Sequence, residues 1–312
     1  MNLPLIVILG PTASGKTGFA IELAKLIDGE IICADSRTVY QGMNIGTAKP
    51  TAEEQAAVRH WGINLVEPNQ RFTLYDFQQY AKEKIQEVRL RHHVPMLVGG
   101  SGLYIDSIVY DYQLKHEQQF GSIKRAELEI KSLNELINYA TSHHIELPND
   151  VHNKRRLIRA IEQGGVNKKC SQLIDNTVVI GIKSDREDLR ARSRLRSKQM
   201  LQDGLIDEMK RLLDKYGQVE PLRRNAYGVA WQWLNGQIDE GELLDKMVIS
   251  DGHLVKKQLT WWRNPKRASD ILWQSLDELN SQLGTWRSKS SEVIIDDIIN
   301  EYKNFKSCPK TP

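Results

Sequence analysis

The apolar residues of this chain fall into two alternating kinds of run. Leu3–Leu9 (LPLIVIL) is continuously apolar, the pattern of a parallel strand buried on both faces. GPTASGKT follows. Ala20, Leu23, Ala24 and Ile27 then recur at helical spacing over Phe19–Asp28, with Gly29 as a stop. Glu30–Ala34 (EIICA) predicts a second strand. A polar, glycine-containing stretch from Asp35 to Pro50 comes next, and Leu74, Phe77, Ala81, Ile85 and Val88 then mark one helix face. Val94–Val98 predicts a third strand, ending in Gly99-Gly100-Ser101-Gly102, and Thr177–Ile182 a fourth. Strands alternating with helices argue for a parallel sheet flanked by helices.

Two regions break the alternation. Between Asp111 and Asn176 strand-like runs vanish, and the polar, helical pattern reads as a module inserted between two strands. From Arg186 onward the pattern is mostly helical: Arg186–Leu201, Leu205–Tyr216, Tyr227–Leu234, Gly241–Arg263 and Glu292–Tyr302, then a polar tail. The expected class is α/β: a P-loop NTPase-like parallel sheet flanked by helices. Its core spans 1–110 and 177–312 with a helical C-terminal part, and a small helical domain is inserted at 111–176.

Composition changes this picture little. Over 312 residues, 40% hydrophobic and 27% charged content is ordinary for a globular protein. A net charge of +3 announces no polyanion partner. Cys33, Cys170 and Cys308 form no CxxC pair, which suits a reducing cytoplasm better than a zinc or disulfide framework. The apolar N-terminal run is short and lacks a basic flank, so neither a signal peptide nor a membrane span is expected. No coiled-coil pattern argues against a monomer.

Gly10-Pro11-Thr12-Ala13-Ser14-Gly15-Lys16-Thr17 matches GxxxxGK[ST] between an apolar strand and an amphipathic helix. Such a loop turns successive backbone N–H groups inward around phosphate oxygens, and the helix adds the positive end of its dipole. Lys16 supplies a cation, and the Thr17 hydroxyl can ligate magnesium. The motif reports a pyrophosphate; by itself it leaves an ordinary kinase or NTPase open. Asp35 and Ser36 follow the second strand, which is expected beside the P-loop strand, at the edge where open parallel sheets bind ligands. Asp35 can cap the next turn, hold magnesium through water, or act as a general base.

DSRTVYQGMNIGTAKP (Asp35–Pro50) resembles the long signature of the tRNA dimethylallyltransferases, also called tRNA isopentenyltransferases. GPTASGKT, LVGGSGLYI (Leu97–Ile105), RAIE (Arg159–Glu162), MLQDGL (Met200–Leu205) and KKQLTWWR (Lys256–Arg263) extend the resemblance over most of the chain in order. The resemblance implies transfer of a dimethylallyl group from its diphosphate to the exocyclic amine of the adenosine 3′ to the anticodon. It implies Asp35 as general base, Thr17 and Arg196 as stabilisers of the leaving pyrophosphate, and magnesium as helper. Gly10, Thr12, Ala13, Ser14, Gly15, Lys16 and Thr17 would hold the diphosphate. Asp35, Ser36, Arg37, Thr38 and Ser101 would face the target nucleotide.

Basic segments add candidate RNA contacts. Arg155, Arg156 and Arg159 cluster in the inserted segment, and Arg223-Arg224 lies further on; each is a phosphate contact or a solvated face. Helical spacing puts Arg192 with Arg196. Trp261 and Trp262 read as core. The chain also departs from the family pattern. Thr38 replaces a glutamine, Asn44 an aspartate, and His60-Trp61 a His-His pair. Gly228 lies in an altered Gly-Tyr motif, and Asp251-Gly252-His253 stands where Thr-Arg is usual. These changes concern the acceptor end, so a prenyltransferase for free adenine nucleotides and a weakly active RNA-binding homologue stay open as alternatives.

Overall fold

The computed structural model describes residues 3–114, 125–166 and 168–308. Residues 115–124 and 167 of the segment predicted to be helical lie outside the described residues, as does the end of the polar tail at 309–312. The chain divides into two compact units: Met1–Ile105 with Asp175–Pro312, and Asp106–Ile174.

In the first unit, strand β1 (Leu5–Leu9) is buried at all five positions, as its unbroken apolar run requires. The P-loop follows, then helix α1 (Lys16–Ile27), which buries Ala20, Leu23, Ala24 and Ile27. Strand β2 (Gly29–Cys33) and the signature loop lead to helix α2 (Ala52–Ala57) and the two-residue strand β3 (His60–Trp61). Helix α3 (Leu74–Leu90) opens on a capping box between Thr73 and Asp76, followed by strand β4 (Val94–Gly99) and helix α4 (Gly102–Val109).

Six strands form one parallel sheet in the order β3-β2-β4-β1-β5-β6, with β5 at Thr177–Lys183 and β6 at Leu272–Ser275. The sheet corrects one expectation. β2 does not lie beside β1; β4 is inserted between them and pairs with both. The α1 crossover carries the chain past one strand position, and β4 fills that slot after α3. Asp35 therefore stands two strands from the P-loop, on the same C-terminal edge.

The C-terminal part supplies helices α8 (Arg186–Gln202), α9 (Leu205–Tyr216), α10 (Asn225–Leu234), α11 (Glu240–Trp262), α12 (Pro265–Ala268), α13 (Leu276–Trp286) and α14 (Ser291–Ser307). In the second unit, α5 (Arg125–Ile130), α6 (Leu133–Ser142) and α7 (Lys154–Gln163) close around Leu128, Leu136, Ala140, Leu157, Ile158 and Ile161.

The signature loop is held to the helical part by one buried carboxylate. Glu208 of α9 accepts backbone N–H groups from Asn44, Ile45 and Gly46 at 2.9–3.3 Å, and the Tyr227 hydroxyl of α10. A Cβ on Gly46 would meet the Tyr227 ring at 2.6 Å, so only glycine permits this approach. Lys49 anchors the other end, donating to the Tyr40 carbonyl at 2.8 Å and to the Asn44 and Asn64 side-chain oxygens at 3.0 and 2.6 Å. Glu208→Ala leaves several buried donors without an acceptor. Urea unfolding should register a loss of about 3 kcal/mol or more, against about 1–2 for Tyr227→Phe.

Candidate active site

The P-loop backbone is bent by two residues in the left-handed region, Ala13 at φ 63° and Gly15 at φ 86°. Alternating handedness of this kind turns successive N–H groups to one side. Gly15 caps α1 without a side-chain acceptor, so the first amides of the helix face the loop free of any capping group. Among the described residues, Lys16 donates only to the Pro11 carbonyl, at 3.2 Å. Loss of water around its ammonium pushes the pKa down to about 8; Asp35 opposes that shift and Arg196 adds to it. The Ser14 hydroxyl is fully buried and has no partner. A half-buried cation and an orphaned hydroxyl in one loop fit an incoming phosphate group.

Helices α8 and α11 close the loop from above. Arg196 donates to the Thr12 hydroxyl at 2.6 Å and to the Asp251 carboxylate at 2.6 Å, and its Nε is buried without a partner. Ser193 donates to the same Asp251 oxygen at 2.6 Å. Arg192, one turn before Arg196, reaches the Ser14 carbonyl at 3.5 Å. Gln258 accepts the Thr12 N–H at 2.8 Å, and a Cβ on Gly100 would strike its amide nitrogen at 2.3 Å. The glycines after β4 thus make room for α11.

At the end of β2, one Asp35 oxygen accepts the Arg37 N–H at 2.7 Å, so it does cap the next turn. Its second oxygen has no partner among the described residues. The Ser101 hydroxyl accepts the Ser36 N–H at 3.2 Å and ties the ends of β2 and β4 together. Thr38 is buried, its hydroxyl turned to the Asp35 carbonyl at 3.4 Å. Thr12, Asp35, Arg37, Arg196 and Arg224 line one cavity of about 50 Å³ with Met43, Met200, Met247 and Tyr227. Glu220 bridges Arg37 and Arg224. Arg223 is not among the lining residues; it donates to Gln218.

In the second unit, Arg155 and Arg156 are exposed on α7. Arg155 has no ion pair among the described residues, and Arg156 lies 3.8 Å from Asp150. Arg159 lies 3.8 Å from Glu162. Trp262 is core, at 1% exposure, whereas Trp261 is half-buried beneath the Arg267 guanidinium.

The metal expectation can be tested on these residues. Thr17 is half-buried and its hydroxyl has no partner among the described residues; Asp35 lies close enough to act on Lys16. No group of three or more His, Cys, Asp or Glu residues among the described ones could hold an ion alone. Magnesium usually takes one or two protein oxygens and completes its shell with waters and substrate phosphates, so this donor set fits it.

Sequence reasoning placed Asp251 at the acceptor end, whereas it pairs with Arg196 beside the P-loop, and it missed Gln258 and the three methionines as site residues. Asp251 and Gln258 are seven residues apart, two turns on one face of α11. That spacing was available as a signal, but it could not show that the face meets the P-loop.

Fold and site together define an α/β protein whose P-loop, through Thr12, shares a cavity with the Asp35 carboxylate. Residues 38–265 match the family model described as IPP transferase. The chain is 36% identical over 307 residues to the tRNA dimethylallyltransferase of Staphylococcus carnosus, covering 90% of this chain and 97% of that one. It is 38% identical over 275 residues to that of Streptococcus agalactiae, covering 87% and 92%. The solved tRNA isopentenylpyrophosphate transferase of Bacillus halodurans matches with a TM-score of 0.69 at 30% identity, covering 96% of this chain and 99% of that one. A eukaryotic dimethylallyltransferase acting on tRNA shares the fold, with a TM-score of 0.71 at 22% identity, covering 96% and 80%. The chain belongs to the IPP transferase family.

The Lys16 ammonium gives the site a pH dependence. In its protonated form Lys16 would attract a diphosphate, which when bound would raise the lysine's pKa. Affinity for inorganic pyrophosphate should therefore be full below about pH 8 and fall as pH rises through that value. Calorimetric titration across pH 6.5–9.5 reads this, and Lys16→Met should remove most of the dependence.

Proposed function

We propose that this protein transfers a dimethylallyl group from dimethylallyl diphosphate to the N6 amine of the adenosine adjacent to the anticodon, on its 3′ side, in tRNA. One observation carries the reading: a single cavity joins the cationic P-loop end at Thr12 and Arg196, the Asp35 carboxylate, and an apolar wall. A kinase needs a surface for a nucleoside beyond its phosphates. Here the cavity that Thr12 and Arg196 line is walled by methionines.

The P-loop amides, Lys16 and Arg196 hold the donor's diphosphate. As the bond between the prenyl C1 and its oxygen breaks, negative charge grows on the pyrophosphate, and these donors are already aimed at it. The exocyclic nitrogen forms a bond to C1 and gives up a proton to the unpartnered Asp35 oxygen. The capped oxygen keeps the carboxylate oriented during this exchange. Thr17 would hold a magnesium ion together with the diphosphate oxygens; when bound, the ion adds charge neutralisation at the leaving group.

The acceptor base has to leave its stack to reach Asp35. We assign Ser36, Arg37, Ser101 and Arg224 to the surroundings of the flipped nucleotide. Arg155, Arg156 and Arg159 of the inserted helical unit, and Arg223, are assigned to tRNA phosphates. Glu220 already engages Arg37 and Arg224, so RNA phosphate competes with a resident carboxylate there. Cys33, Cys170 and Cys308 are all free, which suits a reducing compartment, and we place the enzyme in the cytoplasm as a monomer. No helix among the described residues is long and apolar enough to cross a membrane.

The test is transfer of labelled dimethylallyl diphosphate to unmodified tRNA with adenosines 3′ to the anticodon. Label should be retained on the RNA. Label on AMP and none on tRNA would overturn the reading in favour of a nucleotide prenyltransferase; tRNA binding without transfer would mark a non-catalytic RNA-binding protein. Asp35→Ala should lower kcat about 10²–10⁴-fold and leave pyrophosphate binding intact.

A further inference from the structure

One half of the cavity lined by Thr12, Asp35 and Arg196 is apolar. Met43, Met200, Met247, Leu254, Ala226 and the Tyr227 ring line it, supplied by the signature loop, α8, α10 and α11. Met43 is fully buried, and Met200 and Met247 nearly so. Three of the chain's six methionines converge on this one space. Methionine is unbranched and polarizable, and it fills irregular apolar space around a small group.

Two of the three are placed by the same helices that hold the cationic end. Met200 follows Arg196 by four residues on α8, and Met247 precedes Asp251 by four residues on α11. Four residues are one helical turn, about 6 Å of rise. A chain anchored by its diphosphate at Thr12 and Arg196 and directed along these helices meets the methionines after one turn. The cavity is about 50 Å³. A water-sized probe takes about 10–15 Å³ by such a measure, so there is room for a handful of non-hydrogen atoms.

We propose that Met43, Met200 and Met247 set the length of the prenyl chain, admitting a five-carbon group and excluding a ten-carbon one. The proposal rests on the prenyltransferase reading above and adds the residues that decide which donor is used. These side chains are specificity determinants. They touch the apolar tail and take no part in proton or pyrophosphate chemistry.

The experiment compares kcat/KM for dimethylallyl and geranyl diphosphates on the same tRNA. It uses the wild-type protein, Met43→Ala, Met200→Ala, Met247→Ala and the volume-conserving Met200→Leu. A ratio of two substrates is unaffected by a reduced folded fraction. At least one alanine variant should shift the ratio toward the ten-carbon donor by about 10-fold or more, while Met200→Leu keeps the wild-type ratio.

A second variant works in the opposite sense. Ala226→Val narrows the same space; it should raise KM for the five-carbon donor and leave inorganic pyrophosphate affinity unchanged. The proposal is overturned if the wild type uses both donors equally well. It is also overturned if the alanine variants transfer the five-carbon group with an unaltered ratio, or if Ala226→Val leaves KM where it was. Transfer of neither donor to tRNA by the wild type would instead remove the prenyltransferase reading itself, and this proposal with it.

Discussion

The Arg196 guanidinium is the contact on which this architecture turns. It joins the Thr12 hydroxyl of the P-loop to the Asp251 carboxylate, and so ties β1 and its loop to α8 and α11. A P-loop on a parallel sheet is a general phosphate cradle. Closing it with two helices from the far end of the sequence turns it into a chamber. Those helices bring Arg192 and Gln258 against the loop, are joined to each other through Ser193 and Asp251, and place Met200 and Met247 beside it. Asp251 also balances the charge of Arg196, and a half-buried ion is costly to leave unpaired.

The long signature after β2 divides into chemistry and architecture. Asp35 and Ser36 stand at the sheet edge beside the chamber, and Asp35 keeps one oxygen free. Met43 walls the chamber. The residues from Asn44 to Lys49 do structural work: their amides converge on Glu208, and Lys49 is spent on backbone and amide oxygens. Asn44 is neutral where the family pattern has a carboxylate. Lys49 bonds to its side-chain oxygen all the same, so the contact survives without the charge.

Much of the fold was legible because the strands of the sheet centre are continuous apolar runs and the long helices carry a clean period. β4, β5 and α9 fall within a residue of where the pattern puts them, and β1 and α3 within two. β3 and β6 were not legible. They are edge strands of two and four residues, partly exposed, and too short for any periodicity to register. The order of strands escaped for a different reason: nothing local in Glu30–Ala34 says that a later strand will separate it from β1. In the site, motif residues were readable because their spacing encodes a local loop. Asp251, Gln258 and the methionines act through contacts spanning about 50 to 250 positions, which no window reports.

The central claim is that this P-loop holds the diphosphate of a prenyl donor and not a nucleotide. Competition binding reads it directly: a non-hydrolysable dimethylallyl thiodiphosphate is titrated into the wild-type protein with magnesium, alone and then against a large excess of ATP. Tight binding of the prenyl analogue that ATP displaces only weakly is the predicted result, because the cavity shared with Thr12 and Arg196 is walled by methionines. Displacement by ATP at concentrations equal to those of the analogue would contradict it.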